Sequence, residues 1–98
     1  MSDALEAQLK SREADVCFAL ADPTRISIVH ALKKHPHNVN ELTAELGIPQ
    51  PMTSRHLRIL RERGLVQSTR HGVSVTYALS DPRLIDALAL LNDISTKP

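Results

Sequence analysis

The sequence predicts a mainly α-helical domain carrying one small β-hairpin, and three observations predict it. Apolar residues recur at helical spacing in stretches on both sides of a short β-rich segment. Two of the helical stretches, 38–46 and 50–63, are separated only by Gly47, Ile48 and Pro49. The β-rich segment consists of "LVQSTR" and "VSVTYALS", which alternate, are rich in valine and threonine, and enclose His71-Gly72. That is the pattern of a hairpin whose turn glycine takes a positive φ.

The first helix is placed at about 4–21, with Leu5, Leu9, Val16 and Leu20 at helical spacing. Asp22 is a good N-cap for the second, and Pro23 suits the first helical position, where its missing N–H costs nothing. Ile26, Ile28, Val29 and Leu32 of that helix face a core; the helix runs to about Lys34, and Pro36 ends it. Asn38 followed three residues later by Glu41 has capping-box spacing and opens a third helix, with Leu42, Leu46 and Ile48 on its apolar side. Gly47 stops it in the left-handed region.

The fourth helix, 50–63, tolerates Pro51 because a first turn has orphan N–H groups anyway. Thr53, Leu57 and Leu60 fall on one face, and Gln50, Ser54, Arg55, Arg58 and Arg61 on others. Gly64 terminates it and Leu65 covers its last turn. Two short helices joined by a tight glycine-containing turn make a helix-turn-helix, and the hairpin at 65–79 makes it winged. A last helix at about 81–94 is capped by Ser80 or Asp81, with Pro82 near its start. Its apolar arc spans about 220°, against the roughly 100° stripe that a small core needs. The excess, through Leu84, Leu88 and Leu91 together with Leu5 and Leu9 of the first helix, predicts a homodimer built from the terminal helices.

Residues 1–98 thus read as a single small domain, which on folding buries only about two-thirds of the surface its unfolded chain exposes. With one phenylalanine, one tyrosine and no tryptophan, the chain has no aromatic platform for stacking single-stranded nucleic acid. A lone cysteine, Cys17, rules out an intramolecular disulfide framework and fits the cytoplasm; it is expected to be a buried, inert thiol. The charged start "MSDALEAQLKSREAD" is unlike a secretory leader, and the apolar run "LIDALALL" is interrupted by Asp86 and too short to span a membrane. Nothing resembles a nucleophile–base pair, a glycine-rich phosphate loop or a metal-hydrolase motif, so an enzyme is not expected.

The net charge of +1 conceals an asymmetry. Between Gln50 and Gly72 stand Arg55, Arg58, Arg61, Arg63 and Arg70 against Glu62 alone, a net +4 that leaves −3 for the remainder. Such a block is the footprint of an anionic partner. Gln50, Pro51, Thr53 and Ser54 occupy the start of the fourth helix, the end that reaches base edges when a helix enters a major groove. Arg55 can pair bidentately with guanine, whereas Arg58 and the hairpin residue Arg70 suit phosphates. Arg61 and Arg63 are read as solvated surface favourable to the helix dipole. The competing reading is a winged helix whose basic face binds an acidic protein surface.

The stretches "FALADPTRISIVHAL", "NVNELTAELGIPQPMTSRHLRILRERGLV" and "STRHGVSVTYALS" resemble the ArsR-type winged-helix transcriptional repressors. The resemblance implies a cytoplasmic homodimer that sets the 50–63 helix of each subunit in successive major grooves of a pseudo-palindromic operator, with wing residues near Arg70 and His71 on the flanking minor groove or phosphates. It also implies positions at which many members hold a metal. Where one family site has a Cys-x-Cys pair, this chain has Asn38 and Asn40, which bind soft metals poorly. Where another has an Asp-and-His set on the last helix, Asp81 is present but Arg83 replaces the histidine. No metal or other cofactor is therefore expected. His35 and His37, flanking Pro36, are read as a solvated loop pair, with a metal shared with a partner chain as the lesser alternative. His56 of "SRHL" is read as structural or DNA-adjacent.

Overall fold

The computed structural model describes residues 2–97, so the two terminal residues of the 1–98 domain lie outside it. In chain order it contains α1 (Asp3–Leu20), α2 (Pro23–Lys34), β1 (His37–Asn38), α3 (Val39–Leu46), α4 (Gln50–Glu62), β2 (Val66–His71), β3 (Ser74–Leu79) and α5 (Arg83–Thr96). This is a winged helix-turn-helix.

The helix boundaries follow from local chemistry. The Asp22 carboxylate accepts from the N–H groups of Thr24 (2.8 Å) and Arg25 (3.2 Å), with Pro23 in the first turn of α2. Asn38 and Glu41 form a reciprocal box: the Glu41 N–H donates to Asn38 Oδ1 (2.8 Å), and the Asn38 N–H to Glu41 Oε1 (2.9 Å). Gly47 then ends α3 at φ 66°, a conformation that a Cβ would strain. The start of α5 differs from expectation. Its N-cap is Pro82, which has no side-chain acceptor, so Asp81 supplies one by accepting from the Arg83 N–H at 2.8 Å. Ser80 does not cap the helix: its N–H donates to the Leu65 carbonyl at 3.0 Å, and its buried hydroxyl has no hydrogen-bond partner among the described residues.

Ile28, Val29, Ala31 and Leu32 of α2 meet Leu42 of α3, Leu57 and Leu60 of α4, Val66 of β2 and Ala19 of α1 in one core. The sheet order is β1-β3-β2, antiparallel throughout. The β2–β3 register pairs His71 with Ser74, so the loop is Gly72-Val73, one residue beyond the expected His71-Gly72. Gly72 alone in the turn has a positive φ, 65°, as a turn with glycine at its first central position requires. The strand β1 was not foreseen. At two residues it is too short to show alternation, yet it ties the α2–α3 junction to the wing through His37–Tyr77 and Asn38–Thr76 pairing.

The terminal helices are the least buried elements. Ala19 is the one α1 residue fully in the core, with Val16 and Leu20 half-buried beside it. Cys17, expected to be buried, is exposed, because at 100° per residue it lies about 200° around the helix from Ala19. On α5, Leu84, Ile85 and Leu88 pack against the protomer's own core. Leu84 and Leu88, expected to face a partner, are therefore already partly used. The apolar surface left open comprises Leu90, Leu91 and Ile94 of α5 and Leu5, Leu9 and Phe18 of α1. No described helix is long and apolar enough to cross a membrane.

Removing the α3 cap tests this local account. Asn38→Ala is expected to destabilise the domain by about 1 kcal/mol, read in thermal denaturation as a melting-temperature fall of roughly 4–8 °C. Asn38→Ser should restore most of the loss.

Candidate nucleic-acid interface

The sequence of α4 divides it lengthwise. Thr53, His56, Leu57 and Leu60 are buried, while Gln50, Pro51, Met52, Ser54, Arg55, Arg58 and Arg61 are exposed. Thr53, Leu57 and Leu60 hold one side against α2 and α3, and the other side is left mostly to polar and charged groups. The first turn has no side-chain cap; the N–H groups of Met52 and Thr53 both donate to the Pro49 carbonyl, at 3.0 and 3.2 Å. At the other end Gly64 takes φ 74° and the Leu65 N–H returns to the Leu60 carbonyl at 3.0 Å.

Thr53 was expected among the contact residues and is corrected here. It is 0% exposed, and its hydroxyl accepts from that of Thr43 at 2.9 Å, so it fastens α4 to α3 and cannot reach a ligand. Arg63 is also reassigned. Instead of standing in solvent, its guanidinium sits 4.9 Å from the Phe18 ring centroid, 3.3 Å from Asp15 Oδ1 and 3.4 Å from the Ile59 carbonyl. It secures the end of α4 to α1.

The other predicted residues stand on open surface. Arg58 donates to Glu62 at 2.8 Å, and this hydrogen bond holds the Glu62 carboxyl below its ordinary range. The pair is exposed, so an incoming phosphate can exchange for Glu62 at little cost. Arg55, Arg61 and Arg70 have no ion-pair partner among the described residues. Arg70 and His71 are exposed near the wing tip, opposite Val75 and Ser74. Val73 at the tip is completely exposed. Between the wing and the starts of α3 and α4 runs an open groove of about 240 Å³, lined by Asn38, Asn40, Gln50, Val73 and Ser74 among others. It joins the start of α4 and the wing tip into one surface.

One buried cation behind this surface escaped the sequence reading. Arg25 is 7% exposed and touches α1, α2 and α4 at once: Nε donates to the Ala19 carbonyl (2.7 Å), Nη2 to the Phe18 carbonyl (3.2 Å), and Nη1 lies 3.1 Å from His56 Nδ1. A signal was available, since Arg25 shares the helical face of Ile28, Val29 and Leu32. His56 is structural, as one of its two expected roles had it, and burial is the largest cause lowering its pKa from the usual 6.5. His37, expected in solvent, is buried; Nδ1 donates to the His35 carbonyl at 2.7 Å, and Nε2 lies 3.0 Å from Glu45 Oε2. Its ring stacks on exposed His35 at 4.1 Å. Strand β1 draws it inward. No group of three or more His, Cys, Asp or Glu residues is placed to hold a metal ion among the described residues.

The fold and this surface define the class: a winged helix-turn-helix with the exposed face of its second motif helix and its wing on one side. The sequence profile of bacterial regulatory proteins of the arsR family matches residues 22–68. The chain is 36% identical over 84 residues to the transcriptional regulator NmtR of Mycobacterium tuberculosis, covering 86% of this chain and 70% of NmtR. It is 44% identical over 75 residues to the SmtB repressor of the same species, covering 72% of this chain but 56% of SmtB. Among solved structures, the homodimeric winged helix-turn-helix DNA-binding domain Mb0332 of Mycobacterium bovis is similar with a TM-score of 0.85 at 26% identity, covering 97% of this chain and 87% of that one. NolR from Sinorhizobium fredii is similar with a TM-score of 0.82 at 28% identity, covering 96% and 93%. The chain belongs to the ArsR family of bacterial regulatory proteins.

The reassignment of Thr53 has a direct check. Thr53→Val should lower stability by about 1 kcal/mol through the lost hydroxyl pair. Affinity for duplex DNA, measured where the variant is fully folded, should be unchanged; a loss of affinity there would return Thr53 to the contact surface.

Proposed function

We propose that the protein is a cytoplasmic, homodimeric transcriptional repressor that binds a pseudo-palindromic DNA operator, with no catalytic activity. The observation that carries the reading is the division of α4, whose buried residues fix it in the core while Gln50, Pro51, Ser54, Arg55 and Arg58 stay open beside the wing. A helix enters the major groove, and its N-terminal residues reach base edges. Arg55 is assigned to guanine, Gln50 and Ser54 to bases or phosphates, Pro51 to close packing at the groove wall, and Arg58, Arg70 and His71 to phosphates. The family's regulators and the homodimeric neighbour support this reading. Leu5, Leu9, Leu90, Leu91 and Ile94 supply the subunit contact, with Leu84 and Leu88 bridging it to the core.

The test is selection of fragments from the source genome by the purified protein at about 150 mM salt. Enrichment of a discrete inverted repeat is expected. Retention without sequence preference, or none, would refute the operator reading and favour an acidic protein partner.

On a selected duplex, Arg55→Ala should lose roughly 1–3 kcal/mol of discrimination at particular base positions. Competition with single-base operator variants reads this directly, and an unchanged ranking would remove the assignment. Arg70→Ala should weaken binding to all sequences and reduce the slope of log affinity against log salt by about one. Leu91→Asp should dissociate the dimer in sedimentation. Leu91 is 58% exposed in the protomer, so its replacement spares the core.

A further inference from the structure

We propose that Arg25 is a positioning residue for DNA reading, and that its contact with His56 is a proton-sensitive latch between the α1–α2 corner and the recognition helix α4. The consequence for DNA rests on the function proposed above; the latch itself rests on the protomer.

Three edges of one guanidinium make the latch. Two are committed to the Ala19 and Phe18 carbonyls at the end of α1, where the Phe18 carbonyl also accepts from the Ala21 N–H at 3.1 Å. The third, Nη1, meets His56 Nδ1 at 3.1 Å. A guanidinium has donors only, so Nδ1 must accept, and the ring is neutral with its hydrogen on Nε2. A proton arriving on Nδ1 sets N–H against N–H and places two cations in contact at a buried site. The bond then has to open. Nη1 already stands 4.0 Å from Asp22 Oδ2, so the guanidinium has a carboxylate to move towards.

His56 follows Arg55 directly in α4, so a change in how the ring is held alters the presentation of the proposed base-reading arginine. Arg63 holds the other end of α4 to Asp15 and Phe18. Opening the latch therefore loosens the middle of α4, next to Arg55, while Thr53 keeps its start on α3 and Arg63 keeps its far end on α1. Since α1 is also the proposed subunit contact, the latch links dimer geometry to the groove-facing residues.

The charged groups acting on the ring are Asp22 and Arg25 from the α2 side and Arg55 from its own helix. Burial is the largest influence and lowers the pKa of His56 from 6.5; Arg25 and Arg55 lower it further, and Asp22 opposes them. A lowered folded-state pKa means that the unfolded chain binds the proton first. The stabilisation is thus complete above about 6.5 and is lost as pH falls from there through the folded-state value. Asp22, Glu45, Glu62 and Asp81 also have lowered pKa values, but their contributions fade near and below about pH 4. The histidine window is separate.

The test has two parts. Ring-nitrogen NMR of the free full-length protein should find His56 as the Nε2–H tautomer at pH 7.5. Protonation should occur below the free-imidazole range, in step with amide shifts at Phe18, Ala19 and the start of α4. A ring titrating like free imidazole, or titrating without those shifts, would overturn the latch. Binding of the duplex selected at pH 7.5 is then followed by fluorescence anisotropy from pH 7.5 to 5.5. His56→Asn keeps an acceptor near the Nδ1 position but does not titrate, so wild-type affinity relative to this variant should fall several-fold on acidification. Arg25→Lys should weaken binding already at pH 7.5 and flatten the profile. Parallel profiles for wild type and His56→Asn would overturn the effect on DNA. If no duplex can be selected, the operator reading fails, and the ring titration alone judges the latch.

Discussion

Everything in this domain depends on α4 being held firmly by one face while the opposite face is kept free. Leu57 and Leu60 provide most of the hold, being fully buried against α2 and α3, and burial of such side chains stabilises by about 1.5–3 kcal/mol each. That hold fixes which residues can serve a partner. Thr53 is drawn into the interface with α3, and the exposed set is narrowed to Gln50, Pro51, Met52, Ser54, Arg55, Arg58, Arg61 and Glu62. The caps and turns around α4 serve the same end. Gly47 before it and Gly64 after it turn the chain through positive φ, and the polar and charged face of the helix is left outward.

Charge is distributed according to the same division. Of the arginines between Gln50 and Gly72, Arg63 is spent on internal structure and Arg58 has an exposed, exchangeable partner. The net charge of that stretch therefore overstates what an anionic partner meets at any one point. Arg25, outside the stretch, has the opposite character: a buried cation satisfied by two carbonyls and an imidazole. A buried cation with such partners is retained because removing any one of them leaves charge or acceptor unsatisfied. It connects the helix ends that the hydrophobic core alone would leave free to pivot.

Much of this was legible in the residues. Asp22-Pro23, the Asn38–Glu41 box, Gly47 and Gly64 each act through local chemistry, and each sets a boundary where the residue types place it. The hairpin followed from alternation, but its turn shifted by one residue because strand pairing carried His71 into β2. Long-range placement was harder to read. Strand β1 exists only because β3 is there to pair with it. Cys17 and Thr53 were misjudged because an apolar stripe read along one helix does not reveal which neighbour covers its edges. Arg63 carried only the signal of its charge and Arg25 that of its place on the apolar face of α2, and neither signal names a partner on another helix.

The central claim is that two copies of this chain present their α4 helices to one duplex. Hydroxyl-radical footprinting of a selected duplex tests it most directly. The account predicts two protected patches related by a two-fold axis, with the centres of the α4 contacts about one helical turn apart, roughly 10–10.5 base pairs. Weaker protection from the wings should flank them. A single patch, or uniform protection along the duplex, would contradict it.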